Sequence, residues 1–126
     1  MSMTPHELVA EAQAQIKAVD LNSAAQHVAA CGLIIDVREP GEFDAGRLPG
    51  AINLPRGVLE FKIGDNPALT NKDTSILLYC KTGGRAALAA LNLQRMGYAH
   101  VQSMTGGYDA WIAAGQKTVT DTTQYN

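Results

Sequence analysis

Ile76-Leu77-Leu78-Tyr79-Cys80-Lys81-Thr82-Gly83-Gly84-Arg85 decides how the rest of the 126-residue chain is read. Four apolar residues run straight into a thiol, two glycines follow, and residues 86–96 are rich in Ala and Leu. The run predicts a buried strand, a tight glycine turn and then a helix. A thiol in that turn meets converging N–H groups and the positive end of a helix dipole. Both favour thiolate over thiol, and the flanking cations Lys81 and Arg85 act in the same direction. Gly83 and Gly84 permit the positive-φ turns that let successive N–H groups point inward as an anion nest. Cys80 could instead be a small buried hydrophobe closing a strand, a common fate for a free cysteine. The glycines and the two cations weigh against that, and the expectation is cysteine chemistry on a small anionic substrate.

A second continuous apolar run, Leu33-Ile34-Ile35-Asp36-Val37, is closed by a carboxylate and reads as a strand buried on both faces. Shorter candidates are residues 51–54, stopped by Pro55, residues 100–103 and residues 18–20. A first helix is expected from Thr4 as cap and Pro5 as first helical residue, burying a stripe of Leu8, Ala12 and Ile16. Asn22-Ser23 is expected to cap a second helix through Val28, ended by Gly32. Strands and helices alternate, which predicts an α/β fold: an open, largely parallel sheet with helices on both faces. Sites in such sheets lie beyond the carboxyl ends of the strands. Both Asp36-Val37-Arg38-Glu39 and residues 80–85 fall there.

Asp36, continuing from buried residues, needs a partner, and Arg85 is the candidate. That pairing would support the cysteine loop in shape and leave the chemistry to Cys80. Gly46-Arg47-Leu48-Pro49-Gly50 reads as a turn into a strand. In Gly106-Gly107-Tyr108-Asp109-Ala110-Trp111 the glycines allow close backbone approach, and Trp111 reads as a core anchor. Met104 and Thr105 are candidates for facing the pocket. His6, His27 and His100 have no metal-ligand spacing, so no metal is expected. Cys31, at a predicted helix end, reads as structural.

Charge is close to balanced, ten Lys and Arg against twelve Asp and Glu, which gives no nucleic-acid surface. No apolar run approaches the roughly 18 residues that would suggest a membrane span. The first residues carry neither a basic n-region nor an apolar h-region, so no signal peptide is expected. With only two cysteines, free thiols and a cytoplasmic, reducing home are expected.

Taken together, Asp36-Val37-Arg38-Glu39 with Phe43, residues 46–55, residues 80–85, and Gly106-Gly107 with Trp111 and Gly115 resemble a rhodanese domain in the same order. The Cys-x-x-Gly-x-Arg loop is met by Cys80, Gly83 and Arg85. The resemblance implies a five-stranded parallel sheet, with a helical extension over residues 1–18, the domain over 19–116 and a polar tail, expected to fray, over 117–126. It implies a thiosulfate sulfurtransferase in which Cys80 carries sulfane sulfur as a persulfide to a thiol, a protein acceptor or cyanide. In that reading Lys81, Thr82, Gly83, Gly84 and Arg85 form the anion cradle, Asp36, Arg38 and Arg47 support it, and no cofactor is required. The family's usual histidine is replaced by Arg47. Two alternatives stay open: a non-catalytic or relay module that binds a protein partner, and an arsenate reductase or phosphatase. The latter have one more residue between cysteine and arginine than the four found here.

Overall fold

The computed structural model describes residues 2–120. Five strands form one sheet: β1 Lys17–Val19, β2 Leu33–Asp36, β3 Ala51–Asn53, β4 Ser75–Tyr79 and β5 His100–Met104. Their order is β1-β5-β4-β2-β3, and every neighbouring pair is parallel. The two long apolar runs lie side by side near the centre, with Leu33 opposite Ile76 and Asp36 opposite Tyr79. Central position explains why they read as continuous hydrophobic strands: each has both faces covered.

Alternation along these strands sorts their side chains between two cores. Ile35, Val37, Ile76, Leu78 and Cys80 pack with Leu59 of α4 (Leu59–Lys62) and with Ala86, Ala89 and Leu93 of α5 (Gly84–Arg95). Ile34, Leu77, Tyr79 and Met104 face the other way, onto Ala24 of α2 (Leu21–Ala29) and Trp111 of α6 (Gly107–Ala113). Helices therefore cover both faces, as expected for this α/β class. Two 3₁₀ turns, Ile63–Asp65 and Pro67–Leu69, lead into β4. No helix of the described residues is long and apolar enough to cross a membrane.

Local expectations are corrected in three places. α1 (Pro5–Gln13) is capped by Thr4 in a reciprocal capping box with Glu7, but it stops before Ile16. Leu8 is exposed and Val9 takes its place; Ala12 is buried as expected, and Ile16, beyond the end of the helix, packs against the same cluster with Ala87 and Leu91 of α5. α2 is capped by Asp20, which accepts from the Ser23 N–H at 2.8 Å, so the helix starts before Asn22-Ser23. The tail does not fray from Lys117. Arg47 and Val119 exchange two backbone hydrogen bonds at 2.9 Å, and Trp111 Nε1 donates to the Lys117 carbonyl. The tail beyond residue 120 lies outside the described residues.

Candidate active site

β2 and β4 are neighbours, so residues 37–39 and 80–83 leave the sheet side by side at its carboxyl edge. Cys80 is the first residue after β4, and it is 1% exposed. Its Sγ accepts the Gly83 N–H at 3.1 Å and the Ala86 N–H at 3.4 Å. The loop can curl this tightly because Gly83 takes φ +117° as the residue preceding α5. Helix α5 has twelve residues, and the two N–H groups that meet the sulfur come from its N-cap Gly83 and its third residue Ala86.

The outer side of the loop is clamped by the turn into α6 (Gly107–Ala113). Tyr108 N–H donates to the Cys80 carbonyl at 2.7 Å, and Asp109 N–H donates to the Lys81 carbonyl at 3.0 Å. Gly107 makes this approach possible. A Cβ there would lie 2.5 Å from the Cys80 carbonyl oxygen and 2.6 Å from that of Lys81. Close backbone approach was the expectation for these glycines. Trp111 is a buried anchor, as expected, while Met104 is buried in the sheet core and Thr105 N–H donates to the Val19 carbonyl.

Charge is arranged differently from the expected Asp36–Arg85 pair. Asp36 is fully buried and accepts the Arg38 N–H at 2.9 Å, while Arg38 Nε and Nη2 grip its two carboxylate oxygens at 2.7–3.1 Å. Both side chains lie on one face because they are two residues apart in extended chain. Arg38 Nη2 also donates to the Gly46 carbonyl, and its guanidinium lies 4.2 Å from the Tyr108 ring centroid. Burial works against the Arg38 charge, but the Asp36 contacts outweigh it and hold the guanidinium above its ordinary value. Burial, aided by the Asp36 charge, pushes the Tyr79 phenol up, and its hydroxyl accepts the Leu48 N–H.

Arg85 pairs with Glu42 of α3 (Pro40–Ala45), Nη1 to Oε1 at 2.8 Å and Nη2 to Oε2 at 3.2 Å. Glu42 also closes a capping box with Glu39 at the start of that helix. Arg85 holds the Glu42 carboxyl at about 2, against the opposing effect of burial. In return Glu42 holds the Arg85 guanidinium above its ordinary value, against burial and with smaller contributions from Cys80. Lys81 pairs with Asp109 at 2.8 Å, both about half exposed. Arg47 lies with its guanidinium over the Phe43 ring, 4.4 Å from the centroid, and donates to the Phe43 carbonyl. Thr82 is exposed at the tip of the loop.

Two concavities flank the loop. One, of about 280 Å³, is lined by Arg38, Glu42, Gly46, Lys81, Tyr108 and Asp109. The other, of about 490 Å³, runs between Pro5, Val9 and Gln13 of α1 and Thr82 and Gly84. Sequence reasoning brought Cys80, the loop and Asp36-Arg38 to one rim but missed Glu42, Tyr108 and Asp109. The spacing of Glu42 from Glu39 signals only the capping box, not the contact with Arg85, while Tyr108 and Asp109 stand directly after Gly106-Gly107. Cys31 is exposed, has φ +58°, and sits before β2, at the opposite edge of the sheet from Cys80.

The sequence and the fold are similar to those of known proteins. Residues 14–114 match the rhodanese-like domain family. A sulfurtransferase of Allochromatium vinosum is 30% identical over 102 residues, covering 79% of this chain and 92% of that protein. A Rhodopseudomonas palustris protein of unknown function, described as a possible tyrosine phosphatase, superposes with a TM-score of 0.83 at 31% identity. That match covers 93% of this chain and 95% of the other. The homodimeric polysulfide-sulfur transferase of Wolinella succinogenes superposes with a TM-score of 0.75 at 25% identity, over 94% of this chain and 89% of its own. With a parallel five-stranded sheet, a cysteine at the strand-to-helix turn and a match across most of its length, the chain belongs to the rhodanese-like domain family and is of its sulfurtransferase type.

Proposed function

We propose that the chain is a thiosulfate-type sulfurtransferase in which Cys80 is the nucleophile and the carrier of the transferred sulfur. The observation that carries this reading is the pair of N–H groups, Gly83 and Ala86, donating to Cys80 Sγ. They stabilise negative charge on Sγ in the resting thiolate and again as Sγ leaves when the persulfide bond breaks. Cys80 thiolate attacks the outer sulfur of the donor. A new S–S bond forms as the bond to the sulfonate sulfur breaks, and its electron pair leaves with sulfite. An acceptor thiolate or cyanide then attacks the outer sulfur of the persulfide, and the electron pair of the breaking bond returns to Cys80. The remaining loop amides, with Arg85 beside them, cradle the anion; Asp36 and Arg38 hold the neighbouring segment in place.

The tyrosine-phosphatase description of the Rhodopseudomonas palustris protein raises a second reading for the same loop. Phosphate-ester cleavage needs a proton donor for the leaving oxygen. Glu42, the carboxylate on Arg85, is held at about 2 and is ionised at neutral pH, so it does not fill that role. The test is intact mass after incubation with thiosulfate, before and after cyanide, beside Cys80→Ser. One sulfur atom gained by the wild type alone, and lost to cyanide with thiocyanate released, supports the reading. Hydrolysis of a phosphate ester with no sulfur gained would overturn it.

A further inference from the structure

The carbonyls of Cys80 and Lys81 are both taken by the turn that opens α6, through the N–H groups of Tyr108 and Asp109. The N–H groups of the same two peptide units, on Lys81 and Thr82, meet no acceptor among the described residues. Every peptide bond among the described residues is trans, and in a trans peptide the C=O and N–H point in opposite directions. With both carbonyls turned to α6, the Lys81 and Thr82 N–H groups are turned away from it. That is the side of the thiol. Cys80 packs with Ala86 and Ala89 of α5 on one face of the sheet, and Trp111 of α6 packs on the other.

Either peptide turned over would bring a carbonyl oxygen, instead of an N–H, to the thiol's side. A carbonyl dipole there repels a thiolate and any anion brought to it. The contacts from α6 exclude that orientation by giving both carbonyls a donor. They depend on Gly107, where a Cβ would run into both carbonyl oxygens. We infer that Gly107-Tyr108-Asp109 are positioning residues for the chemistry at Cys80, acting through their backbone. By holding the Cys80 and Lys81 carbonyls outward, they aim the Lys81 and Thr82 N–H groups at an anion delivered to Sγ. In sulfur transfer that anion is the incoming donor, and to this extent the inference rests on the reading above.

Two alkylating agents test this without any sulfur donor: iodoacetate, an anion, and iodoacetamide, its neutral analogue. Alkylation is followed at Cys80 by mass spectrometry of its peptide. The ratio of the two second-order rates cancels thiolate fraction and intrinsic nucleophilicity. In the wild type the iodoacetate-to-iodoacetamide ratio should exceed that of 2-mercaptoethanol. Asp109→Pro removes the N–H that holds the Lys81 carbonyl, in a first helical turn where no intrahelical bond is lost. Asp109→Asn removes the same carboxylate and keeps the N–H, so the two variants differ in the bond under test. The ratio is expected to be about tenfold lower in Asp109→Pro than in Asp109→Asn, the scale of one hydrogen bond to a charged group. Should the proline variant not fold, an ester in place of the residue-109 amide removes the N–H alone and carries the same expectation against wild type. Equal ratios with and without the N–H, or a wild-type ratio no higher than that of 2-mercaptoethanol, overturn the inference. The expected ratios with no sulfur gained from thiosulfate would sustain the positioning role and overturn the sulfur-transfer reading instead.

Discussion

Arg85 and Glu42 face each other through two parallel hydrogen bonds, 2.8 and 3.2 Å long, across 43 residues of sequence. The contact ties the first turn of α5, which supplies N–H groups to Cys80, to the start of α3. Arg85 is thereby fixed at the start of the helix whose third residue, Ala86, donates to the thiol.

Because the Glu42 carboxyl is lowered from its ordinary 4.5 to about 2, its pairing stabilises the fold fully above pH 4.5. Between 4.5 and 2 the unfolded chain binds the proton and the folded chain does not, so stability falls as pH falls. Thermal unfolding should be insensitive to this group from neutral pH to about 5 and lose its contribution over the acid window. Glu42→Gln should flatten that part of the profile. An unchanged slope in the variant would remove the pair from the account of acid stability.

Gly107→Ala should be among the most damaging small substitutions. At φ +61° its Cβ would be driven against the Cys80 and Lys81 carbonyls, for a cost of roughly 3 kcal/mol. Gly57→Ala, where nothing lies within 4 Å, should change stability by less than about 0.5 kcal/mol. Urea unfolding of the two variants checks the contrast. Gly83 is intermediate: a Cβ there has room, its nearest atom 3.9 Å away, so only the backbone conformation resists it. Valine should therefore be worse than alanine at that position.

Arg38→Leu strands the fully buried Asp36 carboxylate and should destabilise by about 3 kcal/mol, read from the urea midpoint. The double variant Asp36→Asn/Arg38→Leu should recover a substantial part of that loss. Failure to recover would mean that Arg38 acts mainly through its contacts with Gly46 and Tyr108.

Ionic strength offers a check on the paired cations. Lys81 and Arg85 unpaired would steer a dianion and make persulfide formation strongly salt-dependent. With each already matched by a carboxylate, the second-order rate with thiosulfate should change less than about threefold between low and physiological salt. Stopped-flow rates across a salt series decide it.

Much of the fold was legible because its signals are local. The runs before Cys80 and through Asp36 are central strands buried on both faces, and the glycines at 83, 106 and 107 announce turns that the backbone takes. Leu8 was misread because the face that α1 turns to α5 runs through Val9 and Ala12, while Ile16 joins the same cluster from beyond the helix end. The Arg85 partner was misassigned because Asp36 has a better one two residues away, which only the geometry of extended chain reveals. Glu42 reaches Arg85 through tertiary packing, and no spacing rule encodes that.

The opposite placement of the two thiols has a consequence for redox damage. Four paired residues of β2 and β4 separate their ends, about 13 Å of strand, whereas a disulfide needs Cα atoms within about 7 Å. A sulfenic acid formed on Cys80 has no resolving cysteine within the fold, so its rescue depends on a thiol brought by another molecule. Protection then rests on the 1% exposure of Cys80 and on how promptly that molecule arrives.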